Sequence, residues 1–124
     1  VRVVTEAPAE WPRVVVSPGR LQQVFVNLLL NAADAMDGEG TVTVSCSRAD
    51  RRVLIAFTDT GPGVPSELRR KIFDPFFTTK PPGQGTGLGL AISRSILETF
   101  GGGLDLGPSN GGGAAFIVSL PAVD

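Results

Sequence analysis

A two-layer α/β sandwich, with helices covering one face of a mixed and mostly antiparallel sheet, is the fold this sequence predicts. Three patterns lead there. Residues 41–48 and 52–59 alternate in polarity and are rich in Val, Ile, Thr and Phe, with Asp50 and its neighbours between them, which reads as a β-hairpin. Residues 18–36 and 88–100 carry apolar side chains at helical spacing. A last strand pair, 104–106 and 115–120, follows the second helix around a glycine-rich turn. Strand pairs at both ends of a chain that also holds helices fit one sheet with its helices on one side.

The remaining elements follow in order. Residues 1–5 read as a short strand, and 14–16 as a brief apolar run ended by Ser17 and Pro18. Serine is a good N-cap and proline a good first helical residue, so the first helix starts there. It stops before Gly38. Residues 60–65 are a Gly/Pro loop, and 66–70 form one or two helical turns. Residues 74–86 hold Pro75, Pro81, Pro82, Gly83 and Gly85, so they read as loop. The second helix places Leu90, Ile92, Ile96 and Leu97 on its apolar positions and ends at residues 101–103. Pro121 is expected to close the domain.

Composition narrows the function. With 124 residues the chain suits a single domain spanning 1–124. Hydrophobic residues at 42 % and charged residues at 19 % describe a globular chain. Net charge is −1 with scattered basic residues, which leaves no electrostatic footprint for nucleic acid or an anionic membrane. The longest apolar stretch, 24–30, is broken by Asn27 and is too short to insert across a bilayer. No signal peptide is visible. Cys46 is the single cysteine, so no internal disulfide forms, in keeping with a reducing cytoplasm. The chain contains no histidine. A histidine nucleophile, base or metal ligand is therefore excluded within it.

Four constellations carry candidate chemistry. Gln23, Asn27 and Asn31 recur at i, i+4 and i+8 in an otherwise apolar helix, so three amides line one stripe. An unpaired buried amide costs roughly 1–3 kcal/mol. The stripe therefore faces either backbone groups of a neighbouring element or a polar ligand or hydrated metal. Amide oxygens suit a hard cation such as Mg²⁺. Next, Asp59 ends an apolar row formed by Val53, Ile55 and Phe57, and Gly61 and Gly63 follow it. An ordinary Asp-Gly turn is one explanation. The other is a carboxylate that accepts from an adenine amino group, beside glycines that let a flat base approach.

The third constellation is Gly85-Thr86-Gly87-Leu88-Gly89-Leu90, which runs into the second helix. It is either a flexible hinge or a phosphate-binding helix entrance. It is not a Walker A loop, since no Gly-Lys-Ser/Thr is present. The fourth is Phe73-Asp74-Pro75-Phe76-Phe77-Thr78-Thr79-Lys80. Its phenylalanines anchor the loop to the core, and Lys80 is placed to reach a phosphate from a lid.

The order of these motifs resembles the ATPase superfamily shared by gyrase, the Hsp90 chaperone, histidine kinases and MutL. Residues 23–35 look like the N box of histidine kinases, 59–63 like the G1 box, 73–80 like the F box and 85–90 like the G2 box. Residues 113–121 look like the usual closing strand. The resemblance implies the Bergerat ATP-binding fold, with a sheet of about five strands. It implies a cofactor set of ATP or ADP with Mg²⁺. Asn31 would ligate Mg²⁺, with Asn27 beside it as a catalytic residue. Asp59 would bind the adenine amino group, Gly63 would line the base, and Asp34, Gly61, Val64, Ile72 and Phe77 would also be cofactor-binding. Gly85, Thr86, Gly87, Leu88 and Gly89 would hold phosphates. Lys80 would contact the terminal phosphate, as in kinases of the nitrogen-regulation and dicarboxylate-sensing type.

Two positions depart from the pattern. Asp34 stands where many members carry a cation, and Ala114 stands where many carry Thr. Asn27 replaces the catalytic Glu of gyrase-like members, and an amide cannot act as a general base. The function the resemblance implies is donation of the γ-phosphate of Mg-ATP to a histidine on a separate dimerisation domain of a two-component sensor kinase. A response regulator would act downstream, and the domain would be cytoplasmic even where its parent is membrane-bound. Two alternatives stand beside this: a regulatory ATP/ADP sensor without chemistry, and a serine kinase of the anti-sigma-factor type.

Overall fold

The computed structural model describes residues 1–6, 8, 10–77, 88–107 and 113–123. Its strands are β1 (Arg2–Glu6), β2 (Arg13–Val14), β3 (Thr41–Ala49), β4 (Arg52–Asp59), β5 (Gly103–Leu106) and β6 (Ala115–Val123). Its helices are α1 (Pro18–Ala35) and α2 (Gly89–Thr99), with 3-10 turns at Ser66–Leu68 and Lys71–Phe73. The strands make one sheet in the order β1-β3-β4-β6-β2, with β5 also paired to β6. β1 runs parallel to β3, and the other pairings are antiparallel. The sheet is thus mixed and mostly antiparallel, as expected. It has six strands rather than about five, because residues 13–14 pair with the end of β6.

The register explains the core. β4 and β6 set Val53 beside Leu120, Ile55 beside Val118 and Phe57 beside Phe116. All six face the helices, because alternate residues of a strand share a face. Val24 and Leu28 of α1 and Ile96 and Leu97 of α2 pack on this row with Leu104 of β5. Leu28, Leu97, Leu104 and Leu120 are essentially fully buried. Truncating any one of them to Ala costs roughly 2–5 kcal/mol.

Local chemistry sets the element ends. Ser17 Oγ accepts the Arg20 N–H at 3.4 Å and caps α1, with Pro18 in its first turn. Asp37 takes the left-handed position after the helix, at φ 53°, and the Gly38 N–H beyond it reaches the Ala33 carbonyl at 2.9 Å, a six-to-one C-terminal closure. α2 closes the same way: Gly101 lies at φ 80°, and the Gly102 N–H reaches the Leu97 carbonyl at 2.8 Å. The β3–β4 hairpin turns at Asp50, φ 57°, a residue type that tolerates that region.

Three further expectations change. Pro121 does not close the domain; β6 continues to Val123. The Ala122 N–H points at Arg51, so the proline nitrogen faces the other side, where β5 has already ended opposite Ser119. No ladder bond is lost there. On α2, Ile92 is 39 % exposed while Ser93 is fully buried. The core face runs through Ser93, Ile96 and Leu97, one position round from the apolar spacing. Of the phenylalanines expected as anchors, Phe76 is 72 % exposed.

Candidate functional site

Asp59 lies on the inward face of β4 and is only 5 % exposed. A carboxylate there requires donors. Its Oδ1 accepts the Gly61 N–H at 2.9 Å and the Ala114 N–H at 3.2 Å. An ionised carboxylate has about four acceptor sites, and among the described residues neither of these bonds uses Oδ2. Asp59 therefore keeps acceptor capacity for an outside donor. Its backbone N–H donates to the Ala114 carbonyl at 2.9 Å.

Glycines shape the surroundings of this carboxylate. A Cβ on Gly61 would lie 3.1 Å from Asp59 Oδ1 and 3.1 Å from Met36 Cγ. Gly63 sits at φ 82°, a conformation that suits glycine. A Cβ on Gly113 would run into the Asp59 carbonyl oxygen, so only glycine lets the start of β6 lie against the end of β4. Val64, half-buried, packs onto the core behind the loop.

The amide stripe of α1 divides along its length. Gln23 is exposed, which corrects the expectation that all three amides face partners. Asn27 is half-buried. Its Nδ2 donates to the Gly89 carbonyl at 3.4 Å and to Ser93 Oγ at 3.1 Å. Because a carbonyl only accepts, the Gly89 contact fixes which amide atom is the nitrogen. Both N–H groups are thereby committed, and Oδ1 is left as an acceptor. Asn31 is half-buried one turn further along, and Asp34 is exposed beyond it. Two amide oxygens at i and i+4 are the donor chemistry that a hard cation takes. The residues present thus fit the Mg²⁺ that the resemblance implies.

α2 starts beside this stripe. Leu88 precedes it, and among the described residues no side chain caps this end; the N–H groups and positive dipole end of a first turn suit an anion. Among the described residues, an added Cβ on Gly89 would meet nothing nearer than Asn27 Cγ at 4.0 Å.

The segment that runs through Arg69 and Phe73 is tied to β5, β6 and α2. The Phe73 ring packs edge-on against Phe116 at 6.4 Å, and the Arg94 guanidinium lies 4.6 Å from its centroid. Arg94 also pairs with Asp105 at 3.6 Å. Arg69 donates to the carbonyls of Leu106 and Gly107 at 3.1 and 2.8 Å. Ile72 packs onto the core and Phe77 is half-buried.

The structure thus gathers Asn27, Asn31, Leu88 and Gly89 on one side and Asp59, Gly61, Gly63 and Val64 at the end of β4. Lys80, Gly85, Thr86 and Gly87 lie outside the described residues. Two residues at the site give no functional signal in the sequence. Ser93 reads as a polar residue in an amphipathic helix, and nothing in its spacing shows that it meets Asn27. The sequence places Gly113 in a closing strand, and its close approach to Asp59 is a tertiary fact.

Comparison with known proteins gives this geometry a class. A family model described as histidine kinase-, DNA gyrase B- and HSP90-like ATPase matches residues 16–124. The chain belongs to that family. Within it, the chain resembles sensor kinases in particular. It is 42 % identical over 112 residues to the sensor histidine kinase ZraS of Salmonella typhi, covering 90 % of this chain and 24 % of that protein. It is 44 % identical over 105 residues to the C4-dicarboxylate transport sensor protein DctS of Rhodobacter capsulatus, covering 82 % and 16 % respectively. The chain therefore spans about a quarter or less of these curated relatives.

Solved structures agree. The catalytic domain of histidine kinase ThkA in a nucleotide-free form superposes with a TM-score of 0.84 at 37 % identity, covering 97 % of this chain and 78 % of that one. Full-length ShkA in complex with AMPPNP gives 0.85 at 32 % identity, covering 98 % and 26 %. The fold is that of histidine kinase catalytic domains. Among the described residues no helix is long and apolar enough to cross a membrane.

Proposed function

We propose that this domain binds Mg-ATP and donates the γ-phosphate to a histidine on a separate helical dimerisation domain of the same kinase. The observation that carries the reading is Asp59: a buried carboxylate whose Oδ1 is held by the Gly61 and Ala114 N–H groups. An adenine amino group is a donor for its remaining capacity. Guanine presents an acceptor at the equivalent position, so the pocket selects adenine.

Across the site, the α2 entrance receives phosphate oxygens through backbone N–H groups. Asn27 and Asn31 present amide oxygens to the cation. When bound, Mg²⁺ would neutralise the charge that builds on the transferred group. A partner's imidazole nitrogen attacks the γ-phosphorus, the bond to the bridging oxygen breaks, and ADP leaves. Asn27 cannot take a proton from water, which favours an outside nucleophile over hydrolysis. The ADP or AMPPNP state of the site, the response regulator that next receives the phosphoryl group, and a cytoplasmic setting belong to the same reading.

The test mixes the chain with a histidine-bearing dimerisation domain and γ-labelled ATP. Label should appear on the partner, require Mg²⁺, and be absent from a partner whose histidine is replaced by Gln. A partner that stays unlabelled while nucleotide binds normally would turn the reading toward a nucleotide sensor.

A further inference from the structure

We infer that Ser93 is a positioning residue for the nucleotide site: with the Gly89 carbonyl, it holds the Asn27 amide so that its oxygen is presented to the nucleotide-bound cation. The inference rests on the Mg-ATP reading above.

Ser93 is the fully buried polar residue of α2, at 0 % exposure in a row otherwise made of Ile96 and Leu97. A hydroxyl in that setting costs free energy unless bonded, and alanine would fill the position with better helix propensity. What the hydroxyl does is accept from Asn27 Nδ2 at 3.1 Å across the two helices. A helical serine can turn its own proton back to the carbonyl four residues earlier. Here that carbonyl belongs to Gly89, the group that takes the second Asn27 N–H at 3.4 Å. Asn27 is thus held at two points one turn apart on α2, a clasp that Ser93 and Gly89 share.

Its consequence is directional. A free asparagine amide rotates and presents nitrogen or oxygen. With both N–H groups taken, Asn27 presents only oxygen. The oxygen suits a hydrated cation, whereas the NH₂ end would repel it. Gly89 is also the first residue of α2, so the clasp ties the cation side of the site to the phosphate entrance. An error of about 1 Å in such a group is enough to lose most of its effect.

The test compares the parent chain with Ser93→Ala and Ser93→Cys, titrating ATP calorimetrically with Mg²⁺ and with EDTA. Ser93→Ala should weaken Mg-ATP binding about ten-fold and leave Mg-free binding unchanged. Ser93→Cys, of similar size and with a weak acceptor, should recover part of the loss. Side-chain amide NMR supplies the second readout: the Asn27 NH₂ pair should shift and lose exchange protection in Ser93→Ala. Should Ser93→Ala fail to fold, Ser93→Cys carries the same measurement, with a smaller expected loss confined to the Mg²⁺ arm. Unchanged Mg-ATP affinity, or an equal loss with and without Mg²⁺, overturns the role of Ser93 while leaving the nucleotide site standing. A folded parent that binds no ATP overturns the site reading and the inference together.

Discussion

Asp59 and Ala114 are bonded twice: the Asp59 N–H donates to the Ala114 carbonyl at 2.9 Å, and the Ala114 N–H donates to Asp59 Oδ1 at 3.2 Å. The last step of the β4–β6 ladder is thus also what holds the candidate base-reading carboxylate. Position 114 carries no hydroxyl, yet its backbone still orders Asp59. The departure from the usual threonine removes a side-chain contact without loosening this one.

Asp59→Asn should preserve the fold and weaken ATP binding by about ten- to a hundred-fold, or roughly 1.4–2.8 kcal/mol. The variant amide can keep an oxygen toward Gly61 and Ala114, which turns its NH₂ toward the adenine amino group, donor against donor. Calorimetry with circular dichroism as a folding control checks this. Equal affinity in parent and variant would remove the base pocket from this position.

Two glycines should respond in opposite ways. Gly113→Ala drives a methyl into the Asp59 carbonyl, so β6 must shift, and unfolding should become easier by about 2 kcal/mol or more. Gly89→Ala meets, among the described residues, nothing nearer than Asn27 Cγ at 4.0 Å at the start of a helix, so stability should hold or rise by up to about 1 kcal/mol. Its nucleotide affinity should nonetheless fall, because the methyl occupies room at the phosphate entrance. Urea unfolding and ATP titration of both variants separate packing from binding.

Phe73 and Phe76 should also differ. Phe73→Ala loses the contacts with Phe116 and Arg94 and should cost about 1–3 kcal/mol. Phe76 is 72 % exposed, and its replacement by Ala should change stability by less than about 0.5 kcal/mol. Thermal unfolding of the two variants decides. Equal losses would show that both rings anchor the segment.

Asn31→Ala should abolish the Mg²⁺ dependence of ATP binding while leaving Mg-free binding intact. ATP titrations over a range of Mg²⁺ concentrations read this directly. A retained dependence would move the cation elsewhere.

Much of this was legible in the sequence, for physical reasons that differ by element. Ser17-Pro18 and Gly38 mark α1 because capping and left-handed closure are local chemistry. The β3–β4 alternation marks the hairpin, and its parity alone sets Asp59 on the buried face. Burial on a helix is set by its neighbours, so apolar spacing pointed to Ile92 where the core takes Ser93. Gln23 continues the amide stripe in sequence but is exposed, which the spacing alone does not show. Pro121 looked like a stop because the sequence does not show that its nitrogen faces a side where β5 has ended. Gly113 gave no signal, since the oxygen it avoids comes from a strand more than fifty residues away.

The most direct test of the account is calorimetric titration of the chain with ATP, ADP and GTP, with and without Mg²⁺. The account predicts binding of ATP and ADP, little or none of GTP, and an ATP affinity that rises with Mg²⁺. Equal binding of GTP and ATP, or no binding by a demonstrably folded chain, would contradict it.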